Sequence, residues 1–176
     1  PYIFFTDNAN NGSADVYKDK NLPIYASNLC TEIMLPSNHN WSFVCVLSSI
    51  NLLHYEKWKD TDAVETMIYF LDAVITEFLE KLEKYKNSKN RDDQQTFLFM
   101  ERAYNFSKEN RALGMGALGW HSLLQSKMLP FDSQEAYNLN SEIFKKIKIN
   151  SNKASKHLAD KFGEPELLKG YGRRNT

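Results

Sequence analysis

The chain has 176 residues, 42% of them hydrophobic and 13% aromatic, which suits one packed domain or a large piece of one and argues against a disordered tail. Its 22 basic and 22 acidic residues cancel to a formal net charge of zero, which argues against a general electrostatic grip on nucleic acid or an anionic membrane. Two cysteines without a CxxC spacing, and four scattered histidines, make a disulfide scaffold or a structural zinc site unexpected. No apolar run is long enough to span a bilayer and no basic-then-apolar leader opens the chain, so a cytoplasmic protein with reduced thiols is expected. The chain starts at Pro1 and stops at Gly172-Arg173-Arg174-Asn175-Thr176; both ends read as cuts in a longer polypeptide or a split one.

Residues 2–6 are apolar and aromatic, as in a short strand. Residues 7–13 are dense in turn formers and include Asn-Gly. Pro23 and Pro36 bracket residues 24–34 and disfavour a regular helix there, so an extended loop or irregular strand is predicted. Residues 41–47 are β-prone and nearly all apolar, as in a strand buried on both faces. Asp60 or Thr61 can cap a helix in which Val64, Met67, Ile68, Leu71, Val74, Ile75, Phe78, Leu79 and Leu82 recur at three and four, ending near Tyr85. A polar linker over 87–95, a helix over 96–109, a strand over 111–117 and a helix over 119–126 follow. Ser133 then caps a helix over 134–162, which Gly163 ends; Lys145, Lys146 and Lys148 form its solvated side. This order fits an α/β architecture with too few strands to close a sheet, again pointing to part of a larger fold.

Asn28-Leu29-Cys30-Thr31-Glu32 carries the chemistry. In an extended segment alternate side chains share a side, so Asn28, Cys30 and Glu32 would face one small molecule. An amide can hold a polar group, a thiol can do radical or redox work, and a carboxylate can move a proton. Each residue alone has a plainer reading. Cys45, between Phe43, Val44, Val46 and Leu47, would be a small hydrophobe, the asparagine a turn residue and the glutamate a solvated charge. The set together with the second thiol favours a site. Gly114-Met115-Gly116-Ala117-Leu118-Gly119 matches GxGxxG, but a dinucleotide fingerprint needs an acidic residue after a second strand, and Glu135 falls in a predicted helix. Close packing of a strand onto a helix accounts better for the glycines. His39, His54, His121 and His157 lack ligand spacing; His121 is taken as a packing or hydrogen-bonding residue and His157 as a helix-surface group.

Ser27-Asn28-Leu29-Cys30-Thr31-Glu32-Ile33-Met34-Leu35-Pro36 resembles the active-site segment of the ribonucleotide reductase large (alpha) subunit, Asn-Leu-Cys-x-Glu-Ile followed by Leu-Pro. Cys45-Val46-Leu47-Ser48-Ser49-Ile50-Asn51-Leu52 is similar to its Cys-x-Leu-x-x-x-Asn-Leu segment, with Leu53 where many relatives have glycine. Arg111-Ala112-Leu113-Gly114-Met115-Gly116 resembles its Arg-x-Leu-Gly-x-Gly strand, and Gly172-Arg173-Arg174-Asn175-Thr176 the approach to its phosphate-binding loop.

The resemblance implies an aerobic, class I-like enzyme and an α/β fold: part of a ten-stranded α/β barrel with a finger loop, helix-rich in this portion. Residues 1–176 would belong to one catalytic barrel domain, with 1–40 the finger-loop region, 41–53 a barrel strand and its exit, 60–109 helices and 111–176 a strand plus helices. Cys30 would be the thiyl radical that takes the 3′ hydrogen, Glu32 the base for the 3′-hydroxyl, and Asn28 the clamp on the ribose hydroxyls, with Ser27 and Leu29 also at the substrate. Cys45 would be one of two reducing thiols, its partner lying upstream of this chain. Leu29 and Ile33 would help keep water from the radical.

The implied partners are a ribonucleotide, a metal-containing radical-generating small (beta) subunit and other parts of the alpha chain, with neither nucleic acid nor membrane. No cofactor is implied within this chain, and an external dithiol would be the reductant. The segment alone is not expected to turn over. The competing expectations are a non-catalytic helical interaction module and a stand-alone thiol redox protein pairing Cys30 with Cys45.

Overall fold

The structure, a computed structural model, describes residues 2–176. Two short helices, α1 (Thr6–Asn11) and α2 (Asp15–Asp19), lead into a long irregular stretch and then strand β1 (Val46–Asn51). A 3-10 turn (Leu52–His54), α3 (Tyr55–Trp58), α4 (Ala63–Lys86) and α5 (Arg91–Asn110) separate β1 from β2 (Leu113–Leu118). Helices α6 (Trp120–Ser126) and α7 (Gln134–Phe162) and a 3-10 turn (Glu166–Leu168) complete the described chain.

β1 and β2 pair in parallel, with register from Val46 against Leu113 to Asn51 against Leu118. Parallel strands need a crossover of a dozen or more residues, and α3 to α5 supply it. The periodicity of α4 emerges as a buried stripe of Val64, Ile68, Leu71, Ile75 and Leu82. α4 packs against both α5 and α7, and so sits between them behind the strands. Ser133 caps α7 as expected, its Oγ accepting from the Ala136 amide at 3.1 Å. Gly163 ends the helix at φ +81°, a left-handed-side conformation that glycine adopts without a Cβ clash.

One hydrophobic cluster joins distant parts of the chain and frames the site. Val16 and Tyr17 of α2, Trp41, Phe106 of α5, Ala112, Leu167 and Leu168 are buried together. Trp41 meets Phe106 edge-on, with centroids 5.9 Å apart. A second cluster places Ile50, Leu52, Tyr55, Trp58, Val64, Leu123 and Ile143 at the opposite end of the strands.

Several local expectations are corrected. Residues 2–5 have no regular structure, and the asparagine-rich run forms α1 rather than a turn. Asn10 explains this: its amide donates to the carbonyls of Thr6 (2.7 Å) and Ile24 (2.9 Å), and its Oδ1 accepts from the Ile24 amide (2.8 Å). The strand expected over 41–47 starts at Val46 and runs to Asn51, and it is not buried on both faces; Leu47 is 57% exposed. The stretch before it is drawn to α5 instead, the Ser42 amide donating to the Arg102 carbonyl at 3.2 Å.

Most of the expected linker over 87–95 is helix. Asn90 caps α5 by accepting from the Asp92 amide at 2.8 Å, and Asp92 and Asp93 suit the positive end of the helix. β2 begins at Leu113 because Arg111 adopts the left-handed conformation (φ +47°) that closes α5. His121 is exposed rather than packed, whereas His157 lies on the surface of α7 as expected.

Candidate active site

The segment 27–35 enters the fold beside α1 and α2. It is not extended through Cys30. The Thr31 amide donates to the Asn28 carbonyl at 3.1 Å, closing a tight turn, and Thr31 sits at φ +64°. A β-branched residue in the left-handed region costs about 1–3 kcal/mol and persists only where its surroundings hold it. Asn28 does much of that holding. Its Oδ1 accepts from the Ile33 amide at 3.1 Å, and its Nδ2 donates to Glu32 Oε1 at 2.7 Å. Ser27 Oγ donates to the Ile33 carbonyl at 2.8 Å and fastens the other leg of the turn.

The expected alternation of Asn28, Cys30 and Glu32 on one side is therefore replaced by a turn with a different outcome. Asn28 and Glu32 come together across its base. Cys30 and Leu29 lie at its apex, where Cys30 is exposed and Leu29 is 87% exposed. Within the described residues Leu29 does not shield Cys30.

Below the turn, Glu32, Ile33 and Leu35 share a cavity of about 420 Å³ with Cys45, Tyr17 and Thr176. The structure thus unites Glu32 with Cys45, and through Glu32 with Asn28, and leaves Cys30 projecting. Both cysteines are free thiols. Cys45 immediately precedes β1 and packs against β2: a Cβ on Gly114 would fall 2.7 Å from its Sγ and 2.2 Å from Leu47 Cδ2. The glycines of this strand therefore clear room for the neighbouring strand, not for a helix. Gly116 is alike, with Ser49 Oγ 2.9 Å from where its Cβ would stand.

Burial, reinforced by the negative charge of Glu32, pushes the Cys45 thiol up to about 11. Cys45 thus keeps its hydrogen at neutral pH. Tyr17 is pushed up to about 12 by burial and donates its hydroxyl proton to Thr176 Oγ1 at 3.1 Å. Sequence reasoning missed Tyr17 and Thr176 as cavity residues. No motif marks Tyr17, and the Gly172–Thr176 resemblance does not place Thr176 beside it; they meet only because α2 and the C-terminal segment pack on the same cluster.

The Cys45 environment has a direct chemical readout. Thiolate is the species that alkylates, so below its pKa the rate of Cys45 labelling should climb about tenfold per pH unit between pH 7 and 10. Removing the Glu32 charge with Glu32→Gln should make Cys45 more reactive at pH 8. Peptide mass spectrometry of iodoacetamide-treated protein measures both, and a plateau below pH 9 would contradict this environment.

The description "ribonucleotide reductase, barrel domain" belongs to a family model that matches residues 1–174, and the chain belongs to this family. A protein of Frog virus 3 (isolate Goorha), provisionally named a ribonucleoside-diphosphate reductase large subunit, is 40% identical over 177 residues, covering 100% of this chain and 29% of its own length. The ribonucleoside-diphosphate reductase large subunit of Invertebrate iridescent virus 3 is 33% identical, covering 99% of the chain and 26% of that protein. The solved Actinobacillus ureae class Id ribonucleotide reductase alpha subunit superposes with a TM-score of 0.88 at 54% identity, over 99% of this chain and 31% of that one. The chain thus spans under a third of the length of these relatives, and its two parallel strands with their helices are a part of the barrel.

The described residues contain no group of three or more His, Cys, Asp or Glu placed to hold a metal ion. Among them no helix is long and apolar enough to cross a membrane.

Proposed function

We propose that this chain is the catalytic segment of an aerobic, class I-like ribonucleoside-diphosphate reductase alpha chain. The observation that carries the reading is the single cavity shared by the Glu32 carboxylate and the protonated Cys45 thiol, with Asn28 bonded to Glu32. Reduction at a ribose needs a base and a thiol hydrogen within one sugar's width.

In this reading Cys30, as a thiyl radical, takes the 3′ hydrogen of the substrate ribose. Glu32 takes the 3′-hydroxyl proton. The hydrogen bond between Asn28 and Glu32 keeps amide and carboxylate side by side, where adjacent ribose hydroxyls can replace it. The 2′-hydroxyl leaves as water. Cys45 and a second thiol from another part of the alpha chain supply two protons and two electrons and end as a disulfide. The 3′ hydrogen then returns from Cys30 and the 3′-hydroxyl proton from Glu32, which restores the radical and the carboxylate.

A metal-containing small subunit supplies the radical, and an external dithiol reduces the disulfide. Exposed at the apex of its turn, Cys30 would be covered by other parts of the alpha chain, as a finger loop inserted into a barrel is. Such an enzyme would work in the cytoplasm, where thiols stay reduced.

The test is reductase assay of the full-length chain with its radical-generating subunit and a dithiol. Ribonucleoside diphosphate should become the 2′-deoxy product, and Glu32→Gln should lower kcat roughly 10²- to 10⁴-fold, the span of a general base. Full activity in Glu32→Gln, or no deoxynucleotide from the parent protein, would overturn the assignment.

A further inference from the structure

Asp72 of α4 is buried, 4% exposed, and gathers partners from two remote stretches of chain. Its Oδ1 accepts from Arg111 Nε and from Asn175 Nδ2, both at 2.8 Å, and its Oδ2 accepts from Arg174 Nε at 3.2 Å. Arg111 also donates to the Asp72 carbonyl (2.8 Å) and to Thr76 Oγ1 (2.7 Å). Burial acts to raise the Asp72 carboxyl, but the hydrogen bonds and charges of Arg111, Asn175 and Arg174 outweigh it and hold the group below the usual carboxylate range.

A buried ion pair is weak evidence for stability, since similar apolar packing often does as well; its stronger use is to select one arrangement. What Asp72 selects is the course of residues 174–176. The Arg174 and Asn175 amides donate to Ser155 Oγ of α7 at 3.1 and 2.9 Å. The Thr176 carbonyl accepts from the Leu113 amide of β2 at 3.1 Å, and its hydroxyl accepts from Tyr17. Thr176 then stands in the wall of the cavity that holds Glu32 and Cys45.

We propose that Asp72, outside that cavity, is a positioning residue for it: through Arg174 and Asn175 it fixes Thr176 in the cavity wall and so sets the fit of the nucleotide. This rests on the cavity being the substrate site. Asp72→Asn keeps the shape but loses the charge and one acceptor. In the full-length chain with its radical subunit it should raise KM for the ribonucleoside diphosphate about tenfold and change kcat less than about twofold, as for a group that acts on binding alone.

In the same variant, hydrogen exchange of the Leu113, Arg174 and Asn175 amides should speed up about tenfold, with the β1 amides unchanged. Asp72→Glu, which restores the charge, should recover most of KM. Unchanged exchange at those three amides, or a lowered Tm with KM unmoved, overturns the proposal. If Asp72→Asn does not fold, Ser155→Ala removes the acceptor of the Asn175 amide and one of the two acceptors of the Arg174 amide, which keeps the Ser155 carbonyl at 3.3 Å, and leaves the Asp72–Arg111 pair intact. It should give the same local loosening and KM rise, and their absence is equally decisive. Exchange is read without substrate, so faster exchange in a protein lacking reductase activity would sink the functional reading and support the hold of Asp72 on the segment.

Discussion

Cys30→Ser in the full-length chain should abolish deoxynucleotide formation, by roughly 10³-fold or more, the scale seen when a group that reacts directly with substrate is removed. A serine O–H is much harder to break homolytically than a thiol S–H, so, in the role proposed for Cys30, the variant would not carry a radical to the ribose. Stability should barely change, within about 0.5 kcal/mol, because Cys30 is exposed at the apex of its turn and the hydrogen bonds that hold the turn belong to Ser27, Asn28 and Thr31. Thermal unfolding together with chromatography of the nucleotide products measures both halves. Retained turnover would remove Cys30 from the chemistry; lost turnover with a large loss of stability would make its role structural.

Gly114→Ala should cost more activity than stability. The new Cβ would stand 2.2 Å from Leu47 Cδ2 and 2.7 Å from Cys45 Sγ. Leu47 is 57% exposed and can swing its methyl outward. Cys45 is half-buried and lines the cavity it shares with Glu32, so a shift of its Sγ alters that cavity. Overpacking of this kind destabilises by about 1–3 kcal/mol. A misplacement of about 1 Å at a reacting group can cost about a hundredfold in rate. Gly163→Ala is the control. It meets nothing within 4 Å, but its φ of +81° with ψ 163° is a conformation essentially reserved to glycine, so it should destabilise by a comparable amount, about 1–3 kcal/mol, while leaving turnover alone. Equal activity losses in the two variants would show that the position of Cys45 is not what Gly114 protects.

Much of the helical frame was legible because its signals are local. The three-and-four stripe of α4 and the Ser133 and Gly163 ends of α7 lie within a few turns of the residues they govern, and the structure keeps them. The strands were less legible because pairing defines them. β1 is shifted toward Asn51 by its register with β2, and β2 starts late because Arg111 must close α5. The glycine strand was seen, but its crowding neighbour is β1, which nothing in the GxGxxG pattern reveals.

The Asn28–Glu32 motif was found as a set of chemical types, while its shape was misjudged. Threonine disfavours the left-handed conformation, so propensity predicts an extended chain there. The hydrogen bonds of Asn28 to Glu32 and to the Ile33 amide favour the turn instead.

By itself, then, the sequence determined the family resemblance, the candidate reactive groups and the long helices, because motifs and periodicity are written in neighbouring residues. Only the tertiary structure decided which groups meet. Cys45 faces Glu32, Tyr17 reaches Thr176, and Asp72 holds Arg111 and Arg174 across separations of 39 and 102 residues. Those meetings arise from burying apolar clusters and satisfying buried charges, which are properties of the packed chain and not of any window along it.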